Sequence, residues 1–281
     1  MSENTTRPGA EPFTQRSPRV VAARRLTRRA EREKAGRFLA EGANAVGAAL
    51  AGERGLVHEL FVTADAAEAN PELVSAARAA GARVSPVTDR AAAALSETVT
   101  PQGIVAVCEL LGRSLDAVLP PAARLVAVLV DVADPGNAGT VIRVADAAGA
   151  DAVILAGDSV DPHNGKCVRA SAGSLFHVPL ARTRDAHAAL EVCRAAGLRL
   201  FGADGYAKTG LDSLALDVPA AWVFGNEAHG LPGRILESVD EGVRIPIYGQ
   251  AESLNLATAA AVCLYGSAMA LSPAERRSSG G

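Results

Sequence analysis

The chain has 281 residues and a formal net charge of −3, and apolar residues make up 49% of it while aromatic residues make up 4%. This length predicts two domains of roughly 100 to 160 residues, with cores built mainly from aliphatic side chains. No stretch of about 18 apolar residues is free of charges, and the polar N-terminus lacks a signal-peptide pattern. We therefore expect a cytoplasmic protein with no membrane partner.

The cysteines and histidines are too scattered to predict a metal site. No two cysteines form a CxxC pair, and no cluster of cysteines and histidines has metal-ligand spacing. The sequence therefore predicts reduced, buried thiols and no bound metal. The four cysteines are Cys108, Cys167, Cys193 and Cys263.

Positive charge is concentrated near the N-terminus. Residues 16–37 contain nine Lys/Arg and two Glu, a net charge of +7, which leaves −10 for the rest of the chain. Four of these arginines, at helical spacing i, i+3, i+4 and i+7, predict a helix with one cationic face. Such a face suits RNA phosphates; a solvated helix face or a disordered arm is the alternative. The four are Arg25, Arg28, Arg29 and Arg32.

The first half of the chain predicts a short tail and a small α/β domain. Residues 1–18 are rich in Pro, Thr, Ser and Gly and are predicted to be disordered. Residues 19–111 predict the basic helix and the small domain, and the adjacent Pro120 and Pro121 mark residues 112–123 as a linker. Within the domain we predict a helix at 38–50, a strand at 58–63, a helix at 71–81 and a strand at 103–110.

The second half alternates apolar strands with helices. The run at 125–131 predicts a strand that is covered on both faces, and a helix is predicted at 137–148. The pattern ends on an apolar helix from Leu254 to about Ala270, before a tail at 272–281. The alternation over residues 124–271 predicts a mostly parallel sheet with helices on both sides. Further strands are predicted at 152–157, 198–203, 220–225 and 242–247, and a helix at 186–196.

Three loops that follow predicted strands carry unusual polar residues. Parallel sheets bind ligands at the carboxyl ends of their strands, so these loops are candidate sites. For each loop alone, helix capping and turn formation are the alternative. The GxGxxG, Walker A and GxSxG patterns of other nucleotide and hydrolase sites are absent. The residues concerned are Asn137 and Arg143; Gly225, Asn226, Glu227, His229 and Gly230; and Ser253 and Asn255.

The same loops carry a resemblance to a known family. The segments NAGTVIR at 137–143, FGNEAHGL at 224–231, and IPI at 245–247 with SLN at 253–255 resemble the three motifs of the SpoU/TrmH family of RNA methyltransferases. The resemblance covers about residues 124–271. It implies a SPOUT-type α/β domain whose mostly parallel sheet is tied in a trefoil knot.

A second, weaker resemblance covers the first half of the chain. Residues 36–110 resemble the small substrate RNA-binding domain that precedes the catalytic domain in many members of the family, most clearly in PQGIVAVCEL at 101–110. This resemblance makes the neighbouring cationic segment an expected RNA contact.

The resemblance implies S-adenosylmethionine as the cofactor. Main-chain groups of Gly225, Ile245 and Leu254 are expected to hold its adenosine part, because such groups can hydrogen-bond an adenine edge and a ribose whatever the side chain. The full set of implied cofactor-binding positions is Ala203, Gly225, Asn226, Glu227, Gly230, Ile245, Ile247 and Leu254.

The resemblance also assigns roles in catalysis. Arg143 matches the family's essential arginine and is expected to bind the target phosphate and stabilise the attacking oxygen, because a guanidinium stays protonated. Asn137, Ser253 and Asn255 are expected to orient the arginine and the hydroxyl, with Glu227 as an orienting carboxylate. A homodimer is implied, in which one subunit's arginine approaches the partner's cofactor.

Together these features predict S-adenosylmethionine-dependent 2′-O-methylation of a ribose in RNA. Ribosomal RNA is favoured, because a separate N-terminal domain is commoner among family members that modify it. The alternatives are a tRNA ribose methyltransferase and a non-catalytic RNA-binding protein of the same fold. A methyltransferase for small molecules or proteins is disfavoured by the basic segment and the N-terminal domain.

Overall fold

A computed structural model of the chain describes residues 11–52 and 55–271. The predicted tail at 272–281 lies outside the described residues, as do the first ten residues of the tail predicted at 1–18.

Residue contacts divide the chain into two units. The N-terminal unit comprises residues 1–111 and 161–177, and the C-terminal unit comprises residues 112–160 and 178–281. The sequence analysis assigns 161–177 to the C-terminal domain, whereas the structure groups this segment with the N-terminal unit.

The N-terminal unit is built on a mixed sheet of strand order β1-β4-β2-β3, in which β2 and β3 are parallel and the other two pairs are antiparallel. Numbered in chain order, its strands are β1 Arg37–Glu41, β2 Val57–Val62, β3 Arg83–Pro86 and β4 Ile104–Glu109. Its helices are α1 Pro18–Arg25, α2 Arg29–Ala35, α3 Ala43–Ala51, α4 Ala64–Ala69, α5 Pro71–Ala79, α6 Asp89–Leu95 and α8 Gly165–Ser171.

Three of the four elements predicted in this unit are confirmed, as β2, α5 and β4. The helix predicted at 38–50 is wrong in its first part, which is strand β1. Phe38 pairs with Cys108 in the sheet, and Gly42, with φ +90°, separates the strand from α3. The alanines in the segment favour a helix, but pairing and burial of Phe38 and Leu39 against β4 decide for a strand.

The prediction of disorder is wrong for residues 11–18. Phe13 forms a parallel bridge with Val87: its N–H donates to Pro86 O at 2.8 Å, and its carbonyl accepts from Thr88 N–H at 3.0 Å. Pro18 is the first residue of α1, where a proline's missing N–H costs nothing. Residues 11–18 are therefore ordered despite their polar composition.

The C-terminal unit is a seven-stranded sheet of order β7-β6-β5-β10-β8-β11-β9, and all of its strand pairs are parallel. This confirms the predicted parallel α/β architecture. The strands are β5 Leu125–Val130, β6 Ala152–Ala156, β7 Leu180–Thr183, β8 Arg199–Ala203, β9 Thr209–Gly210, β10 Ala220–Phe224 and β11 Glu241–Arg244. The helices are α7 Pro135–Ala147, α9 Ala186–Ala195, α10 Gly233–Leu236 and α11 Leu256–Ala270.

Helices cover both faces of this sheet, as predicted. On one face Val126 and Val128 of β5 pack in one cluster with Leu190 of α9. On the other face α11 packs against α7, β5 and β10, and the buried Trp222 Nε1 donates to Ser267 Oγ at 2.8 Å. Strands β5, β6 and β10 are therefore buried and apolar along their whole length, which is why their sequences are continuous apolar runs.

Three further observations concern the cysteines, groups that could bind a metal, and helices that could cross a membrane. All four cysteines are buried, as predicted, and burial raises the pKa of Cys108, Cys193 and Cys263 to about 12. Within the described ranges, no three His, Cys, Asp or Glu side chains form a group that could hold a metal ion. None of the helices in those ranges is both long and apolar enough to cross a membrane.

Candidate active site

The motif loops leave neighbouring strands. In the sheet order β5, β10, β8 and β11 are consecutive and parallel, so the loops that follow them lie at the same edge of the sheet. This edge is where open parallel sheets bind ligands.

Glu227, in the loop after β10, holds the loop after β5. Its Oε2 accepts from Ala133 N–H, and its Oε1 accepts from Asp134 N–H and Asn137 Nδ2, each at 3.0 Å. Asp134 caps α7 by accepting from Asn137 N–H at 2.8 Å. One motif loop therefore fixes the start of the helix that carries another motif.

The hydrogen bonds to Glu227 also set its protonation state. Partial burial by itself would raise the pKa of this carboxyl, but donors from Ala133, Asn137 and Asp134 outweigh that effect and lower the pKa below its ordinary value. Glu227 is therefore a carboxylate at neutral pH, as an acceptor of three hydrogen bonds requires.

Asn255 connects the third motif to the other two. Its Nδ2 donates to Asn137 Oδ1 at 3.1 Å, and its Oδ1 caps α11 by accepting from Ala257 N–H at 2.9 Å. Asn137 thus accepts from Asn255 and donates to Glu227. The structure brings together these three of the five residues predicted to be catalytic.

The loop after β10 closes on itself between two glycines. Asn226 and Gly230 exchange main-chain hydrogen bonds of 3.0 and 2.9 Å. A Cβ at Gly225 would lie 2.2 Å from the Gly230 carbonyl carbon, so only glycine fits there, while Gly230 adopts φ +66°. The glycines of the FGNEAHGL motif therefore have a steric explanation, and the loop presents main-chain groups at close range.

Asn226 ties this loop to the end of β5. Its Nδ2 donates to Asp131 O at 2.8 Å. Asp131 has φ +55°, a left-handed conformation that few residues other than glycine adopt, and its Oδ1 accepts from Asp158 N–H at 2.8 Å. The sequence analysis missed Asp131. Asp131 could have been identified from the sequence because it directly follows an apolar strand and aspartate tolerates this conformation.

Arg143 and Ser253 are not part of the hydrogen-bonded set. Arg143 lies on α7 six residues beyond Asn137, about one and two-thirds turns, so the two side chains point roughly 120° apart around the helix axis. Its guanidinium is exposed and makes no hydrogen bond or ion pair within the part of the chain that the structure describes. Ser253 is exposed and lies before α11, whose N-cap is Asn255.

The remaining predicted cofactor positions lie in the same loops. Ala203 ends β8, and residues 245–254, which include Ile245, Ile247 and Leu254, belong to neither a helix nor a strand. All four side chains are partly exposed.

In the N-terminal unit, the prediction of one cationic helix is wrong. The helix is interrupted, because α1 ends at Arg25 and α2 begins at Arg29. The buried Leu26 turns into the core, and the carbonyls of Leu26 and Thr27 accept from Arg32 Nη1 at 3.0 and 2.8 Å instead of continuing the helix.

The break separates the four arginines. Arg32 is only 3% exposed, and its Nε and Nη2 donate to Asp161 Oδ2 at 3.0 and 2.7 Å, so it does not present a surface charge as predicted. Arg25, Arg28 and Arg29 are exposed. Arg29 is bound to Glu33 at 2.8 Å.

Comparison with known proteins identifies the family. Residues 124–265 match the SpoU rRNA Methylase family, and residues 17–106 match the MRM3-like substrate binding domain. The chain belongs to the SpoU rRNA Methylase family. A Bacillus subtilis (strain 168) relative, the 23S rRNA (guanosine(2553)-2′-O)-methyltransferase RlmP, is 36% identical over 89% of this chain and 96% of its own length.

Solved structures agree over nearly the whole chain. The AdoMet-bound rRNA methyltransferase from Sinorhizobium meliloti superimposes with a TM-score of 0.81 and 30% identity, over 93% of this chain and 98% of that one. The SpoU methyltransferase AviRb from Streptomyces viridochromogenes, in complex with AdoMet, gives a TM-score of 0.79 and 30% identity, over 90% of this chain and 98% of that one. The SPOUT-type fold and the N-terminal substrate-binding domain expected from the sequence are confirmed.

Proposed function

We propose that this SpoU family chain transfers a methyl group from S-adenosylmethionine to a ribose 2′-hydroxyl of ribosomal RNA. The observation that carries the proposal is the meeting of all three motifs at one sheet edge, through the hydrogen bonds that join Glu227, Asn137 and Asn255. The relatives named as 23S rRNA 2′-O-methyltransferases support the same substrate and reaction.

The loops after β8, β10 and β11 fit the proposed cofactor. Residues 245–254 and the turn from Gly225 to Gly230 carry main-chain N–H and C=O groups that can hold an adenine edge and a ribose. We assign this role to the main chain of Gly225, Ile245 and Leu254. The positions that shape the same loops are Ala203, Asn226, Glu227, Gly230 and Ile247.

S-adenosylmethionine supplies a methyl group on a sulfonium, which is already activated for transfer. The protein's task is therefore to align the ribose hydroxyl and to stabilise charge on its oxygen. We assign that stabilisation to Arg143 through its permanent charge, together with binding of the target phosphate. Asn137, Glu227 and Asn255 hold the ends of α7 and α11 in place, and Ser253 is proposed to orient the hydroxyl.

We propose a homodimer that places Arg143 at the partner's site. The 15-residue helix α11 contains no charged residue, and its exposed side carries Val262, Tyr265 and Met269, of which Met269 is 73% exposed. A helix that is apolar on every side is expected to be buried, and a second copy of the chain would bury the exposed side of α11. Arg143 lies on α7, which packs on α11, and it points roughly 120° away from its own Asn137, which supports a role at another subunit's site.

A mixing experiment tests this arrangement. Arg143→Ala chains and Gly225→Val chains are each expected to be inactive alone. When they are mixed after mild denaturation, mixed dimers should regain part of the activity, because one of their sites has an intact Gly225 from one chain and an intact Arg143 from the other. No recovery in a mixture that sediments as dimers would place Arg143 in its own subunit's site.

We also propose the family's trefoil knot and a cytoplasmic location. The last strand, β11, lies between β8 and β9, and the loop that follows it leads into α11, which returns to β5, β10 and α7. This inserted order supports threading of the final segment through an earlier loop. The location follows from the proposed ribosomal RNA substrate.

For the N-terminal unit we propose RNA binding through Arg25, Arg28 and Arg29, while the buried Arg32 is a structural residue. Arg25→Ala with Arg28→Ala should weaken RNA binding and make the dependence of log affinity on log salt shallower by about one unit for each lost phosphate contact. Arg78→Ala, exposed on α5, is the matched control. Equal RNA affinity in all three proteins would remove this surface from RNA binding.

The reaction itself is tested by transfer of radiolabelled methyl from S-adenosylmethionine to ribosomal RNA that lacks the modification, followed by digestion to nucleosides. A labelled 2′-O-methylnucleoside is expected. Label in transfer RNA alone would favour the tRNA alternative. RNA binding without any labelled nucleoside, in a protein that binds the cofactor, would favour the non-catalytic alternative.

A further inference from the structure

Two tyrosines project from the C-terminal unit beside the proposed cofactor loops. Tyr206 is 97% exposed in the loop after β8, and Tyr248 is 90% exposed in the loop after β11. Aromatic residues make up only 4% of the chain, and large aromatic side chains usually bury most of their surface. The exposure of two of the three tyrosines at one edge of the sheet therefore indicates that they contact a ligand.

The loops that carry them leave the neighbouring parallel strands β8 and β11, and the loop after β8 is hydrogen-bonded to the end of β11. Asp204 N–H donates to Val243 O at 3.0 Å, and Arg244 Nε donates to Ala207 O at 3.3 Å. Asp204 Oδ1 also accepts from Tyr206 N–H at 3.1 Å, which fixes the turn that presents the tyrosine. The two loops therefore begin at the same edge of the sheet.

The loop after β8 and the end of β11 carry positive charges that form no ion pair among the described residues. Lys208 and Arg244 are exposed, and neither makes an ion pair within the described part of the chain. Two acidic side chains of this region are engaged elsewhere: Asp204 in its own turn, and Glu241 with Arg199 and Thr209. Aromatic faces beside free cations fit a strand of RNA, because bases stack on the rings while phosphates meet the cations.

We propose that Tyr206 and Tyr248 stack on unpaired bases of the RNA substrate, with Lys208 and Arg244 on the adjoining phosphates. The inference rests on the proposed function and extends it: Tyr206 follows Ala203 by three residues, and Tyr248 directly follows Ile247. Both tyrosines are therefore close in sequence to positions proposed for the cofactor. The bases they hold are the target base and its neighbours, and the tyrosines act as positioning residues.

The experiment compares leucine and phenylalanine variants of the full chain. Tyr206→Leu and Tyr248→Leu keep an apolar side chain but lose the aromatic face, and each is expected to raise the KM for an in vitro transcript of ribosomal RNA by about 5- to 150-fold. Tyr206→Phe and Tyr248→Phe keep the face and should stay within about twofold of the wild type. The dissociation constant for S-adenosylmethionine and the melting temperature should be unchanged in all four.

Three results would overturn the inference. One is a wild-type KM in both leucine variants. Another is a loss of cofactor affinity in those variants, which would place the tyrosines on the cofactor. The third is equal impairment of the phenylalanine and leucine variants, which would assign the effect to the hydroxyl groups.

The test remains separate from that of the proposed function. If the wild type transfers no methyl to ribose, the reaction assignment fails, and the same five proteins are compared by filter binding of the transcript. Weaker binding by the leucine variants alone would still support stacking on RNA bases. No RNA binding by the wild type would overturn both proposals.

Discussion

The cationic segment of the N-terminal unit and the motif loops of the C-terminal unit are both recognisable by residue spacing, yet the structure uses them differently. Arg32 completes the predicted cationic row but is 3% exposed and bound to Asp161, whereas Arg143 is exposed and has no partner within the described residues. Spacing predicts a shared face only while the helix continues. In the motif loops, by contrast, the polar side chains Asn137, Glu227 and Asn255 do form hydrogen bonds with one another.

The largest expected effect concerns the buried ion pair. Arg32→Ala removes the hydrogen bonds that Arg32 donates to Asp161 and to the carbonyls of Leu26 and Thr27, and should lower the free energy of unfolding by about 3–5 kcal/mol. Arg29→Ala removes the exposed pair with Glu33 and should cost at most about 0.5 kcal/mol. Urea unfolding of both variants measures the contrast, and equal losses would contradict the structural role of Arg32.

The same pair should make stability depend on pH at the acid end. Burial by itself would raise the pKa of Asp161, but hydrogen bonds from His163 and Arg32 outweigh it and hold the pKa well below its ordinary value. His163 Nε2 accepts from Leu111 N–H at 3.1 Å, which leaves Nδ1 to donate to Asp161. A depressed carboxyl pKa contributes stability above the unfolded value of about 3.9, and the contribution is lost as pH falls below it. Asp161→Asn should weaken this dependence.

Arg143→Ala should have the next largest effect. Losing the charge proposed to stabilise the attacking oxygen should lower kcat by about 10²- to 10³-fold. Because Arg143 makes no hydrogen bond or ion pair to the described residues of its own chain, the melting temperature and cofactor affinity should not change. Turnover is measured with labelled methyl, and retained turnover would remove Arg143 from its role. Arg143→Lys is the control, since it keeps the charge without the planar donors.

Alanine variants of the two glycines in the loop after β10 are expected to differ in cofactor affinity by a smaller amount. A Cβ at Gly225 meets the Gly230 carbonyl at 2.3 Å, so Gly225→Ala must open the turn and should reduce cofactor affinity by more than about tenfold. A Cβ at Gly230 meets nothing within 4 Å, and Gly230→Ala costs only the left-handed backbone, about 1–2 kcal/mol of stability. Calorimetry with S-adenosylmethionine compares them. Similar affinities in the two variants would show that the closed turn is not needed for binding.

The sequence predicts the parallel sheet well, because strands buried on both faces leave continuous apolar runs that few other structures explain. It also predicts that Asn137, Glu227 and Asn255 lie in loops at one sheet edge, but their hydrogen bonds to one another are known only from the structure. It fails where tertiary contacts override local preference. The alanine-rich 38–50 segment begins as a strand only because β4 lies beside it, and Arg32 is buried only because Asp161, far along the chain, reaches it.

The smallest expected effect on cofactor affinity is that of Glu227→Gln, and its dependence on pH makes it the most specific test. A glutamine keeps one acceptor oxygen and sets an NH2 group against a donor, so about one hydrogen bond is lost and cofactor affinity should fall about tenfold, the exposure of the side chain limiting the cost.

The sign of the pH dependence follows from the lowered pKa of Glu227. Its hydrogen bonds hold at neutral pH and are lost only as pH falls below the ordinary glutamate value of about 4.3. Wild-type cofactor affinity should therefore be flat from pH 8 to about pH 4.3 and drop below that. The glutamine variant should start lower and lack this drop, because its acceptor does not titrate. Parallel pH profiles in the two proteins would mean that the carboxylate does not hold the loop after β5.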